Sequence, residues 1–354
     1  MRTFKLTLTV EPKVIIKMMM MLILPCLIMA CILFQFYIPM VYGESDKTIA
    51  VEEYSIIEPM AIKSLLLDLA CIGDNYLITV GERGHILYSE NSGQNWHQAQ
   101  VPTRSTLNAV FFIDEHHGWT VGHDAVILFT DDKGKSWKRQ YFAPDKEQPL
   151  FDVWFKDTMF GIAVGAYGIY LETEDGGKTW NEKYYDVLDD PEFGLPHFNA
   201  IALAPNQSLY MVGEAGFIAV SKDYGKTWEQ LERPYIGSYF NLIITQKGTL
   251  LAVGLRGNIY RSDNEGESWD HIETNNRSSI NHGIQFSNGN IMLVGMDGII
   301  LRSSDDGKSF SVSRRKDRMA ISAVTEIVTR KLFISGEEGI REIDSQGQDK
   351  ETKK

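Results

Sequence analysis

The sequence predicts an all-β, seven-bladed β-propeller, and three observations carry that prediction. First, a Val-Gly pair recurs with Gly at 81, 122, 165, 213, 254, 295 and, as Ser-Gly, 336, at intervals of 41, 43, 48, 41, 41 and 41 residues. A period of about 40 residues is the length of one four-stranded blade. Second, an aromatic residue follows the first six glycines at a constant distance of 15: Trp96, Trp137, Trp180, Trp228, Trp269 and Phe310. Third, each of those aromatics ends a polar loop of the type Thr173-Glu174-Asp175-Gly176-Gly177-Lys178-Thr179-Trp180. The repeat runs unbroken from about residue 64 to 343, so one closed ring replaces the two or three domains that 354 residues would otherwise suggest.

Residues 1–43 precede the repeat and form a signal peptide or a membrane anchor. Arg2, Lys5, Lys13 and Lys17 stand before a nearly uncharged apolar run over residues 18–42. Cleavage after Gly43 suits an export signal, and the run is also long enough to span a bilayer as a retained anchor. A lipid-attachment reading at Cys31 is the weaker one, because Met29 is bulky where a small residue is wanted. The propeller is expected over 44–347 and a polar tail over 348–354. Residues 49–57 have strand composition, and the seventh copy runs out after its third strand, so this N-terminal strand is expected to close the last blade.

Within a copy, strands follow from alternation and turn chemistry. In the second copy they fall at 107–113, 118–121, 126–130 and 137–141; in the seventh at 319–328, 331–335 and 340–343. Between second and third strands lies a tight turn closed by Gly84, Gly168, Gly216, Gly257, Gly298 and Gly339, with Val126 the exception. In the polar loop the Ser or Thr hydroxyl and the Asp or Asn two residues later can tie the backbone, and the Gly after them suits positive φ. That explanation is complete, so these acids are read as architecture rather than as catalysts or metal ligands.

Composition bounds the function. Without residues 1–43 the chain keeps 31 basic against 46 acidic side chains, about −15, which disfavours nucleic acid as a partner. Only Cys71 lies beyond the N-terminal segment, so a cleaved product has no internal disulfide. It sits in an apolar run and reads as a small core residue. No phosphate-binding loop, paired-cysteine zinc pattern, zinc-protease helix or Gly-x-Ser-x-Gly elbow occurs. No catalytic residue, metal or cofactor is assigned, and a monomer is expected.

The polar loops resemble the Asp-box, or BNR repeat, seen in sialidases and in several non-enzymatic propellers. A sialidase would need an Arg-Ile-Pro signature, and none occurs. A closer resemblance is to the photosystem II assembly and stability factor family, carried by Phe151-Asp152-Val153-Trp154-Phe155, Gly161-Ile162-Ala163-Val164-Gly165, Gly168-Ile169-Tyr170 and residues 173–180. The resemblance implies an exported, non-catalytic propeller that binds membrane-protein subunits or assembly intermediates. Arginine-rich patches are part of how that family is thought to hold clients, whereas the turn positions here are mixed in sign. The expected partner is therefore a membrane or envelope protein complex, met in the periplasm, with residues 18–42 as a possible inner-membrane anchor. The alternative is an extracytoplasmic glycan-binding or sialidase-like glycoside hydrolase propeller.

Propeller topology places the candidate partner-binding residues on one face. Turns between second and third strands contribute Arg83, His123, Tyr167, Glu214, Arg256 and Asp297. The long interval from Gly165 to Gly213 adds an insertion between Trp180 and Phe198 in which Tyr184, Tyr185 and Phe193 alternate with acids. Aromatics on an exposed loop supply contact area at low entropic cost. An inner ring, 13 or 14 residues before each Gly, is expected to line the channel mouth: Asp68, Asn108, Asp152, Asn199, Asn241, His282 and Ser322. Such side chains either bond free backbone groups where strands converge or form a polar site.

Overall fold

The computed structural model describes residues 53–350 except Pro191 and Phe193. Residues 1–52 and 351–354, and with them the signal or anchor and the first part of 49–57, lie outside the described residues. The described residues form seven antiparallel sheets, each built from consecutive strands. Blade 1 consists of Leu66–Ile72, Tyr76–Gly81, Ile86–Ser89 and His97–Ala99. Blade 2 follows with Leu107–Phe112, Gly118–Gly122, Ile127–Thr130 and Lys138–Tyr141, within about one residue of the sequence-based boundaries. Blades 3 to 6 open on Leu150–Phe155, Phe198–Leu203, Tyr239–Ile244 and Ile280–Gln285. Blade 7 has three strands, Ile321–Glu326, Leu332–Gly336 and Arg341–Ile343. Each innermost strand packs against the next, and Leu66–Ile72 packs against Ile321–Glu326, which closes the ring.

The fixed Val-Gly pair has a steric cause. At all seven glycines the second strand passes so close to the start of the first that an added Cβ would collide with a main-chain carbonyl, Leu65 O for Gly81 and Thr106 O for Gly122. The residue after each Gly then donates its N–H to that same carbonyl, as Glu82 does to Leu65 (3.0 Å) and His123 to Thr106 (2.8 Å). Every second-to-third turn is thereby tied beside the entrance to an innermost strand. The same close approach coincides with a bulge one residue into each innermost strand, between Leu66 and Asp68 in blade 1.

In each polar loop the Ser or Thr hydroxyl and the Asp or Asn two residues later bond each other and the loop's own backbone. In blade 4 the Ser221 hydroxyl donates to Asp223 (2.8 Å) and accepts the Gly225 N–H (2.7 Å), while Asp223 accepts the N–H and hydroxyl of Thr227 at 2.8 and 2.7 Å. The set recurs in blade 2, where Asp132 accepts from Thr130 and Ser136. Carboxylates so solvated by donors are held below their usual range; Asp305, bonded by Ser309 and Ser303, falls to about 2.

The closing of the ring differs from the sequence expectation. The described part of 49–57 does not join blade 7; it runs along the outer edge of blade 1. Ser55 N–H donates to Val101 O (2.9 Å), Val101 N–H to the Ser55 hydroxyl (3.0 Å), and the Gln98 amide donates to Ile56 O (2.8 Å). At blade 7 the chain turns over residues 344–348 and returns, so that Lys350 N–H donates to Glu342 O (3.2 Å) and Asp349 bridges Ile343. Buried Arg315 clamps the return through Asp317 and Asp349, both at 2.8 Å, and Gly347 O (2.8 Å). Residues 348–350, read as the start of a tail, thus occupy the edge reserved for the N-terminal strand. An open edge is covered by whichever segment is nearest, and the three-stranded blade supplies its own. The ends still meet at one point, where Ile340 N–H donates to Ile62 O (3.1 Å).

Candidate functional site

The turn face is built on a repeated reverse turn. In blade 1, Arg83 and Gly84 both take left-handed backbone (φ 57° and 70°), and His85 N–H closes the turn on Glu82 O at 2.9 Å. This is the I′ geometry that matches strand twist. The place of Gly84 is taken in blade 2 by Ala125 at φ 50°, one residue before Val126, which corrects the sequence assignment of the exception. The first left-handed position is held by Arg83, Asp124, Tyr167, Ala215, Arg256 and Asp297. These turns project side chains outward on one framework.

Among the residues expected on this face, Arg83, His123, Glu214 and Arg256 are exposed, and Tyr167 is 61% exposed. Tyr167 stands edge-on to His197 with centroids 4.7 Å apart, and His197 also lies 5.9 Å from Phe151. Glu214 approaches the His197 imidazole at 3.9 Å. The turns of blades 3 and 4 thus share an aromatic patch with an acid at its side. Asp297 is different: it is held by Arg318 at 2.6 and 2.8 Å and by Arg314, which ties its turn to the outer strand of blade 6 and to the connection leading to blade 7.

The insertion 184–197 packs back on the ring. Leu188 is buried beside Trp154 and Phe198, and Leu195 covers Gly168. Tyr185 stacks edge-on to Tyr170 (5.3 Å) and donates to Gly225 O (2.9 Å), so it is structural. Tyr184, 60% exposed, remains on the surface. Phe193 lies outside the described residues.

The inner-ring residues split into two registers because of the bulge. Asp68, Asp152, Asn241 and His282 pair opposite the Val before each Gly, whereas Asn108, Asn199 and Ser322 sit on the bulge itself. Each register has its own way of bracing neighbours. Asp68 accepts Val110 N–H (2.8 Å) of blade 2, Asp152 accepts Ile201 N–H (2.9 Å) of blade 4, and His282 Nδ1 accepts Val324 N–H (3.4 Å) of blade 7. Asn108 donates to Leu150 O (2.7 Å) and Asn199 to Tyr239 O (2.8 Å). Asn281 does the same toward Ile321 O (2.9 Å). The expected ring takes one residue per blade and so leaves Asn281 out, although a polar residue 14 before Gly295 is its signal.

Enclosure by the channel walls sets the chemistry of this ring. Burial raises Asp152 to about 7 against the pull of its two N–H donors, with the Asp68 charge adding to the rise. Burial raises Asp68 as well, opposed by His282, and lowers His282, opposed by Asp68. Both oxygens of each carboxylate already accept main-chain N–H groups, those of Leu69 and Val110 for Asp68 and of Val153 and Ile201 for Asp152. Among the described residues no cluster of three or more His, Cys, Asp or Glu is arranged to hold a metal, and no helix is long and apolar enough to cross a membrane.

Comparison with known proteins agrees with this architecture. Among solved structures, one described as YCF48 bound to D1 peptide matches at 21% identity and a TM-score of 0.64, covering 81% of this chain and 94% of that one. YCF48 from Cyanidioschyzon merolae matches at 16% identity and 0.64, covering 81% and 97%. A streptogramin B lyase matches at 16% and 0.66, covering 81% and 95%. These likenesses show the fold. No curated protein matches the chain. The family described as Photosynthesis system II assembly factor YCF48 matches over residues 46–144 and 140–283. By that match across most of the ring, the chain belongs to the photosystem II assembly factor family of propellers.

Proposed function

We propose that this protein is an exported, non-catalytic assembly factor that holds a segment of a membrane or envelope protein complex against its turn face. The observation that carries this reading is the family match over residues 46–144 and 140–283. A related propeller recorded with a D1 peptide supports a peptide segment as the thing held. Arg83, His123, Tyr167, Glu214 and Arg256, exposed, differing from blade to blade and fixed on a common turn, are the residues we assign to the contact, together with exposed Tyr184 of the insertion. The charged run before residue 18 and the apolar run over 18–42 support export, with the propeller in the periplasm, cleaved or anchored.

A scaffold rather than an enzyme is supported by the state of the carboxylates. The Asp-box acids bond their own loops, and Asp68 and Asp152 spend both oxygens on bracing blades. A glycoside hydrolase would require two carboxyl groups free to act on a sugar. The test is a crosslinking pull-down from membranes, with Arg83, Tyr167 and Arg256 replaced together by Ala. Capture of a membrane-protein subunit that the triple variant loses supports the reading; equal capture by the variant, or turnover of a glycan, overturns it.

A further inference from the structure

Six of the seven blade interfaces are filled in one way. The aromatic that ends each Asp-box loop joins the core shared with the preceding blade: Trp96 between blades 7 and 1, Trp137 between 1 and 2, and likewise through Phe310 between 5 and 6. In four of the six the loop sits on the preceding blade's second strand, Gly93 against Phe333, Gly134 against Ile78, Gly225 against Ile162 and Gly307 against Leu251. Among the described residues blade 7 has no such loop: after Ile343 the chain makes its return turn, whose Gly347 packs on Ile300 of blade 6, and the core between blades 6 and 7 receives no aromatic from the later blade.

A cavity of about 560 Å³ opens at this interface, on the Asp-box side of the ring. That size suits a ligand group of several heavy atoms. Its floor is Phe286, Ile291, Leu332 and Ile343, all buried, and Arg302 and Arg330 stand at its rim. Among the described residues neither guanidinium has a carboxylate in ion-pair range; Arg302 donates only to Ser345 O and the Ser313 hydroxyl, both at 3.1 Å. The acids of the lining are already engaged, Glu326 with Ser287 N–H and Asp344 with Gln346 and Gln348 N–H. Lys350 is paired with Glu342 at 2.7 Å.

We propose that this cavity is a second docking site, taking a partner's peptide segment that presents an aromatic side chain beside a carboxylate. The aromatic takes the place that six Asp-box aromatics fill from within the chain. The carboxylate meets Arg302 and Arg330, and a guanidinium over the ring face adds attraction. The site lies opposite the turn face, so it goes beyond the reading above and stands or falls separately.

The probe is the acetylated, amidated peptide Gly-Gly-Glu-Trp-Asp-Gly-Gly, with its acids adjacent to a fluorinated Trp, titrated with the full chain and followed by fluorine NMR. Saturable binding is expected. Arg302→Ala and Arg330→Ala should each weaken it about fivefold, in line with loss of one charge-assisted contact. A peptide with Gln and Asn for its acids should weaken similarly, and one with Ala for Trp should fail to compete. Ser311→Trp, which fills the cavity from its lining, should block binding while the melting temperature holds. Absence of saturable binding, indifference to the arginine or acid changes, binding that survives Ser311→Trp, or a concentration-dependent dimer that occupies the site would overturn the proposal.

Discussion

The two faces of the ring use the same repeat to opposite ends. On the Asp-box face the Ser or Thr and the Asp or Asn two residues later hardly change from blade to blade, and these two groups bond within their own loop. On the turn face the backbone hardly changes, while the residue at the left-handed position runs through Arg, Asp, Tyr, Ala, Arg and Asp. Repetition of chemistry marks groups that build the fold; variation on a fixed backbone marks positions released from that duty. The recurrent Asp-box carboxylates of the first face are committed to their loops, and the exposed side chains of the second are the ones we propose for partner contact.

The comparison breaks most sharply at the close approach beneath the turns. Gly122→Ala places a Cβ against Thr106 O, so either two strands separate or the blade fails. A loss of about 3–5 kcal/mol is expected, measured by thermal or denaturant melting. Less severe is Asp223→Ala on the Asp-box face, which strands the Ser221 and Thr227 donors. A loss of about 1–3 kcal/mol is expected, with client capture unchanged.

The channel carboxylates give the comparison a pH signature. Asp152 has its folded pKa raised to about 7. Its contribution to stability is therefore complete below the unfolded value near 4 and is lost as the pH rises through about 7. Asp305 and Asp317 run the other way: both fall to about 2, so their contribution is present above about 4 and lost only as the pH drops toward 2. Between pH 5 and 8 the melting temperature should fall with rising pH, and Asp152→Asn should flatten that slope. A slope of opposite sign in the wild type, or one unaffected by the substitution, would count against the assignment. The smallest effect is expected on the turn face: Tyr167→Ala forfeits its contact with His197, at about 0.5–1 kcal/mol, and leaves the ring intact by melting.

Much of this was readable from the sequence, because the spacing that closes a blade and the side chains that tie its loops are both local. The interval between glycines set the number of blades, and Ser221, Asp223, Gly225 and Thr227 announced their own bonds. What depended on distant pairing was less legible. Strand composition in 49–57 did not say which edge it would cover, since blade 1 and blade 7 both present one; Asp349 and Arg315 settled it through an ion cluster with no local signature. The bulge hides the second register, so a spacing of one residue per blade leaves out Asn281 and places Asn108 with Asp68. Tyr184 and Tyr185 are neighbours of the same type, yet one faces solvent and the other Tyr170, a distinction made only by the packing of the next blade.

The most direct test of the division between faces is site-specific photo-crosslinking in membranes. A crosslinker replacing Tyr167 on the turn face is compared with one replacing Lys178 in the Asp-box loop of the same blade. Capture of a membrane-protein subunit from position 167 and none of that subunit from position 178 is the predicted result. Capture of that subunit from 178 alone, or equally from both, would contradict the account.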